Sequence, residues 1–187
     1  MNAEPSSEPG IPVPPPVLYL AGLAIGVALD YLWPLSVVAG VLRYVIGSVL
    51  IILSAVIMPP VLKRFRRAAT SFDVRKAASA LITDGPYRFS RHPTYVSLTM
   101  LYLGLGVLLD NGWVLILVPP IFLAMDLWVV RKEERHLEAK FGDQFRRYKA
   151  GVRRWLGTHV ALTTRSTGPL ARMRSPRPVN ATVIRIQ

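Results

Sequence analysis

Long apolar runs separated by short polar ones organise the chain as far as residue 130. From Val17 to Trp33 only Asp30 is charged, and Trp33-Pro34 closes the run with an interfacial aromatic and a helix breaker. A second run extends from Val37 to Leu62, with Arg43 near its start. Thr94–Leu109 and Trp113–Val130 form a third and a fourth, separated by the turn signal Asp110-Asn111-Gly112. At a rise of about 1.5 Å per residue, roughly 20 residues cross a hydrocarbon core about 30 Å thick. Each run is therefore a candidate transmembrane helix, and the last two, joined by so short a connection, form an antiparallel hairpin. The predicted fold class is all-α: a polytopic membrane protein of about four transmembrane helices, followed by cytoplasmic C-terminal helices.

Beyond Val130 the helical pattern continues into water as far as Phe141, where Gly142 stands at the position of a left-handed C-cap. A short helix from Asp143 to about Ala150, with Asp143 as its N-cap, places Phe145 and Tyr148 on one side. Residues 1–16 are proline-rich and those from 157 to 187 are rich in Thr, Ser, Pro and Arg without a period, so both read as disordered tails. The membrane domain accordingly runs from 17 to 156.

Composition sharpens this picture. Of 187 residues 51% are hydrophobic, and 23 Lys+Arg against 11 Asp+Glu leave a formal charge of +12. Such a charge can mark a nucleic-acid binder, but its distribution argues for no nucleic acid. Segment 61–92 carries eight bases against Asp73 and Asp84, and 131–187 carries fourteen against four acids. With four spans both segments lie on one side, which the positive-inside rule makes cytoplasmic, together with both termini. The expected location is an inner membrane of bacterial type, with the bilayer and its anionic headgroups as partner. The chain has no cysteine, which removes disulfides, thiolate metal sites, a cysteine nucleophile and prenylation of this chain itself. His136 and His159 have no spacing to carboxylates that suits a metal, so none is expected.

Three features on the cytoplasmic side can carry chemistry. In the stretch from Asp84 to Tyr95, Pro93 suits the first position of a helix, which puts Arg91 and His92 where free backbone N–H groups favour a bound anion such as a carboxylate. Taken singly, these residues also fit an interfacial anchor, with Tyr87 and Tyr95 as belt aromatics. One turn past the fourth span stand Glu133-Glu134-Arg135, which the hairpin brings back beside Arg91 and His92. Alone they read as a solvated helix face. Asp126, seven residues before Glu133 and inside an apolar run, is expensive unless it faces a cavity or a partner. The stripe Tyr95, Leu98, Tyr102 and the pair Gly104 and Gly106 read as helix packing. Asp30 and Arg43 are expected to pair with each other or to reach water.

These residues resemble the isoprenylcysteine carboxyl methyltransferase and phospholipid methyltransferase superfamily of integral membrane enzymes. The resemblance rests on Gly85-Pro86-Tyr87, on Arg91-His92-Pro93-Thr94-Tyr95-Val96-Ser97, on Glu133-Glu134-Arg135 and on Phe141-Gly142 followed by Phe145 and Tyr148, in order over 81–156. Ser97 stands where members carry glycine, a change expected to narrow a cofactor contact. The resemblance implies S-adenosylmethionine as cofactor, held by Tyr87, Arg91, His92, Pro93, Tyr95, Glu133, Glu134 and Tyr148. It further implies a lipophilic small-molecule or lipid acceptor reached from the bilayer. On the chemistry of the residues, Glu134 and Arg135 are the catalytic candidates: Arg135 to orient the acceptor if it is a carboxylate, Glu134 to take its proton if it is an amine or hydroxyl. The alternatives are an NADPH-dependent, sterol-reductase-like membrane enzyme and a non-catalytic membrane scaffold.

Overall fold

The computed structural model describes residues 13–38, 40–67 and 80–158. The tails expected at 1–16 and 157–187 lie outside the described residues except for 13–16 and 157–158. Among the described residues every regular element is helical: α1 (Pro15–Leu32), α2 (Val41–Arg67), α3 (Pro93–Leu108), α4 (Gly112–Ile116), α5 (Val118–Ala124), α6 (Arg131–Phe141) and α7 (Asp143–Gly151). A 3₁₀ turn, Gly85–Arg88, precedes α3, and a π-helical turn, Met125–Val130, joins α5 to α6. Prolines open α1 and α3, where the missing N–H costs no hydrogen bond. α2 carries Pro59 and Pro60 in its interior and ends on Arg64, Arg66 and Arg67, cations suited to the negative pole of a helix.

α1, α2 and the run Gly112–Phe141 are long and apolar enough to cross a membrane, whereas α3, also apolar, has 16 residues. The fourth span is not the single helix expected from 113 to 130. Pro119 and Pro120 restart the helix at Val118, and the π turn then widens it. At 30 residues this run is about 45 Å long, more than a hydrocarbon core needs, so α6 extends past it. Gly142 closes α6, but with φ +49 and ψ −122 it lies outside the left-handed helical region expected of its C-cap, and Gly142 rather than Asp143 occupies the N-cap of α7. Asp143 instead falls in the first turn and sits 3.6 Å from Arg146, because Gly142 alone takes the positive φ that the sharp corner requires.

α3 is the centre of the bundle and packs most extensively on α2. A Cβ at Gly104 would stand 2.8 Å from Ile51 Cγ1 and 3.0 Å from the Gly47 carbonyl, so these small residues let the two backbones approach closely. Nearer the N-terminus of α3, the Ser97 hydroxyl donates to the Ser54 carbonyl at 3.0 Å and lies 2.9 Å from the Ser54 hydroxyl. The expectation that Ser97 narrows a cofactor contact is thereby corrected: its side chain is fully buried against α2. The core joins Tyr19, Tyr95 and Tyr102 to Val114, Met125, Val129 and Val130, so the tyrosine stripe is packing, as its spacing suggested. The outward faces of α1 and α2 stay apolar, with Leu20, Ile25, Val49, Ile52 and Val56 exposed, as a lipid-facing surface requires.

At the end of the bundle remote from α6, Asp110 takes φ +53 and accepts hydrogen bonds from the Ser36 hydroxyl and from the N–H groups of Val37 and Val38. The Ser36 bond first, then those backbone donors, pull its carboxyl down to about 2. Arg43 lies 3.7 Å from Asp110, while Asp30 accepts from the Leu35 N–H at 3.0 Å. The expected Asp30–Arg43 pair is therefore not made: Arg43 is set against Asp110, and Asp30 against a backbone N–H five residues on.

Two substitutions test this packing. Ser97→Gly is expected to cost about 0.5–1.5 kcal/mol of stability through the lost interhelical bonds. Gly104→Leu is expected to cost roughly 1–3 kcal/mol through overpacking against Gly47 and Ile51. Thermal unfolding in detergent checks both, and a Gly104→Leu variant as stable as the unmodified protein would contradict the close contact.

Candidate functional site

The segment before α3 is tied down at almost every residue. Gly85 has φ +60, and a Cβ there would lie 2.9 Å from the Arg64 guanidinium, which is ion-paired with Asp84. The Tyr148 hydroxyl of α7 donates to the Tyr87 carbonyl at 2.7 Å, and the His92 N–H donates to Ser90 Oγ at 3.1 Å. The turn after α7 then returns along this segment: the Arg91 N–H donates to the Arg153 carbonyl at 3.1 Å and the Gly157 N–H to the Phe89 carbonyl at 2.8 Å. Trp155 from that turn packs on Phe122, with ring centroids 4.4 Å apart, and on His92 at 6.2 Å.

Into this frame α6 presents two adjacent carboxylates. Glu134 Oε1 lies 3.1 Å from Arg91, 3.2 Å from His92 Nε2 and 3.2 Å from Arg154 Nε, and its Oε2 lies 2.8 Å from a second Arg154 nitrogen. Glu133 accepts from the Tyr95 hydroxyl at 2.8 Å, with His92 Nδ1 3.6 Å away. The imidazole is stacked on the Tyr95 ring at 5.5 Å and addresses one carboxylate with each nitrogen. Arg154 also donates to Asp126 at 3.0 Å, and Arg131 pairs with the other oxygen of Asp126 at 3.0 Å. The carboxylate inside the apolar run thus has the partner that its cost demands. Burial pushes the Arg91 guanidinium below its ordinary range against the opposing pull of Glu134, whereas the Glu134 hydrogen bonds raise Arg154.

One feature of the cluster is incomplete. Arg91 Nε and NH1 are buried and find no hydrogen-bond acceptor, although NH1 is close enough to Glu134 for an ion pair. A buried N–H without an acceptor is costly, and native structures rarely leave one. Arg91 borders a cavity of about 60 Å³, shared with Tyr87, His92, Glu133, Phe145 and Tyr148. That volume holds a few water molecules. Glu134 itself borders a larger groove of about 470 Å³, together with Leu127, Arg131, Arg135, Lys149 and Arg154.

The structure therefore brings Tyr87, Arg91, His92, Glu133 and Tyr148 to one cavity, while Glu134, in contact with Arg91 and His92, borders the groove. Pro93 starts α3 behind His92, and Tyr95 joins the cluster through its hydroxyl, on Glu133, and through its ring, stacked on His92. Arg135 is not among them: it is exposed, donates to the Arg131 carbonyl at 3.2 Å and borders the groove. Sequence reasoning missed Arg154 and Trp155. The available signal was Asp126, a carboxylate in need of a cation, but nothing in the sequence singles out Arg154 from the other bases after Val130. Among the described residues no group of three His, Asp or Glu side chains is arranged to hold a metal ion.

No solved structure matches. An uncharacterized protein of Haemophilus influenzae is 40% identical over 62 residues, covering 33% of this chain and 98% of its own length. The protein-S-isoprenylcysteine O-methyltransferase of Schizosaccharomyces pombe is 34% identical over 77 residues, 38% of this chain, which spans only 30% of that relative. The family model for phospholipid methyltransferases matches residues 42–144, a stretch that contains all but the first residue of α2, the 3₁₀ turn, α3, and Glu133 and Glu134 of α6. An integral membrane bundle that sets an Arg-His pair against two adjacent glutamates and matches that model over more than half its length belongs to the phospholipid methyltransferase family.

Proposed function

We propose that the protein transfers the methyl group of S-adenosylmethionine to a lipophilic acceptor lodged in the bilayer, at the cytoplasmic face. The observation that carries this reading is the buried Arg91 Nε–H without an acceptor, beside the Glu133 carboxylate in one cavity. An amino-acid moiety has the complementary pair: a carboxylate for Arg91, aided by the N-terminus of α3, and an ammonium for Glu133. Tyr87, Tyr148 and Phe145 offer aromatic faces to an adenine ring or to a sulfonium cation. The cavity accepts only part of such a molecule, so it serves as the anchoring end of the site, with Phe65 and residues 80–82 at its border.

Bound S-adenosylmethionine supplies a methyl group on an already activated sulfur, so the protein has mainly to align two substrates and exclude water. Glu134 is engaged by His92, Arg91 and both nitrogens of the Arg154 fork, which leaves it little lone-pair capacity for a proton. An acceptor that arrives as a carboxylate requires no base. Arg135 stands exposed at the groove, where its guanidinium can orient such an acceptor. This favours O-methylation of a lipid-borne carboxylate, in line with the name of the Schizosaccharomyces pombe relative. The family description suggests a phospholipid as the second acceptor class.

Calorimetric titration tests the donor site. The unmodified protein in detergent is expected to bind S-adenosylmethionine, with Arg91→Ala and Glu133→Gln each weakening it about tenfold or more through loss of a charge-assisted contact. Undiminished affinity in both variants would remove the site assignment, and binding of NADPH instead would favour a reductase. Incubating membranes with methyl-labelled donor and identifying the labelled lipid then separates carboxylate from phospholipid acceptors. Orientation has its own test, simplified by the absence of native cysteine. A cysteine introduced at exposed Arg66 or Lys149 is expected to resist a membrane-impermeant thiol reagent in intact cells and to react after permeabilisation; labelling in intact cells would invert the topology.

A further inference from the structure

One side chain that ties the site together belongs neither to the 84–95 segment nor to α6. Arg154 follows α7 in the turn that the Arg91–Arg153 and Gly157–Phe89 backbone bonds lock onto the start of α3. From there its guanidinium holds both oxygens of Glu134, at 3.2 and 2.8 Å, and with its remaining nitrogen holds Asp126 at 3.0 Å. It is thus a bridge between a carboxylate inside the apolar run and the carboxylate against which Arg91 and His92 are set. A two-pronged guanidinium fixes the plane of a carboxylate as a single ammonium does not. Without it, the Glu134 side chain would be free to swing into the open groove that it borders.

We propose that Arg154 is the positioning residue of the donor site, which it never touches: anchored on Asp126, it holds Glu134 so that Arg91 and His92 keep the geometry that receives the methyl donor. The same contacts assign Asp126 a role as the anchor of that bridge. The turn carrying Arg154 is therefore part of the site, and the site is complete only when that turn is docked. The inference rests on the donor reading above.

Titration of detergent-purified protein with S-adenosylmethionine tests it, reading the dissociation constant and the stoichiometry separately. Arg154→Lys keeps the charge and most of the length but not the fork, so affinity is expected to fall about five- to tenfold at unchanged stoichiometry. Asp126→Asn, which loosens only the far anchor, is expected to weaken binding roughly two- to threefold. In a Glu134→Gln background Arg154→Lys is expected to change affinity by less than about twofold, since the two residues act through one contact. A purely structural role would instead lower the stoichiometry and leave the affinity of the remaining molecules unchanged, which overturns the proposal. So does an equal loss of affinity from Arg154→Lys in both backgrounds. Absence of binding by the unmodified protein would sink the donor reading, and this inference with it; normal binding that is insensitive to Arg154→Lys would sink this inference alone.

Discussion

A carboxylate buried at the end of a membrane-spanning run requires compensation, and in this protein the compensation of Glu134 determines where the other parts stand. Its side chain is almost inaccessible, and removal of so polar a group from water is tolerated only with ionic or hydrogen-bonding partners close at hand. Those partners come from two other segments, Arg91 and His92 from the start of α3 and Arg154 from the turn after α7. A buried ion pair is weak evidence for stability but a means of imposing one arrangement among several. Here that arrangement brings three stretches distant in sequence to one end of the bundle, and the Phe89 and Arg91 backbone bonds reinforce it.

The helices are shaped to deliver that carboxylate. Gly112–Phe141 is long enough to cross a hydrocarbon core and continue beyond it, which lets Glu133 and Glu134 emerge beside α3. Along the way the π turn alters the helical phase: Val129 and Val130, adjacent in sequence, are both buried, while Asp126 faces Arg154 and Arg131. π turns of this kind recur at functional sites because the extra residue re-aims the side chains that follow. α3 is held against α2 by close backbone approach at Gly47 and Gly104 and by the Ser54–Ser97 bonds, so its N-terminal end is a rigid platform for His92.

Much of this was legible in the sequence because membranes impose simple rules. Apolar runs of sufficient length marked the helices, Pro93 marked the start of α3, and the short Asp110-Asn111-Gly112 connection implied that Glu133 and Glu134 return to Arg91 and His92. What escaped depended on which of several equivalent partners a group selects. Asp30 turned to a neighbouring backbone N–H, Arg43 turned to Asp110, and Asp126 took Arg154 from among many bases. Ser97 was misread for a related reason: motif position says nothing about which face of a helix meets its neighbour, and this residue faces α2. The interruption near Leu117 was signalled by Pro119-Pro120, whereas the π turn that follows has no comparable local mark.

The central claim is that the start of α3, the acidic end of α6 and the turn after α7 form one binding site for a methyl donor. Hydrogen–deuterium exchange with and without S-adenosylmethionine addresses it most directly. The account predicts added protection in peptides spanning 87–95, 131–137 and 152–157 together, with no change around 36–38 and 110–112. Protection confined to one of the three segments, or appearing at the opposite end of the bundle, would contradict it.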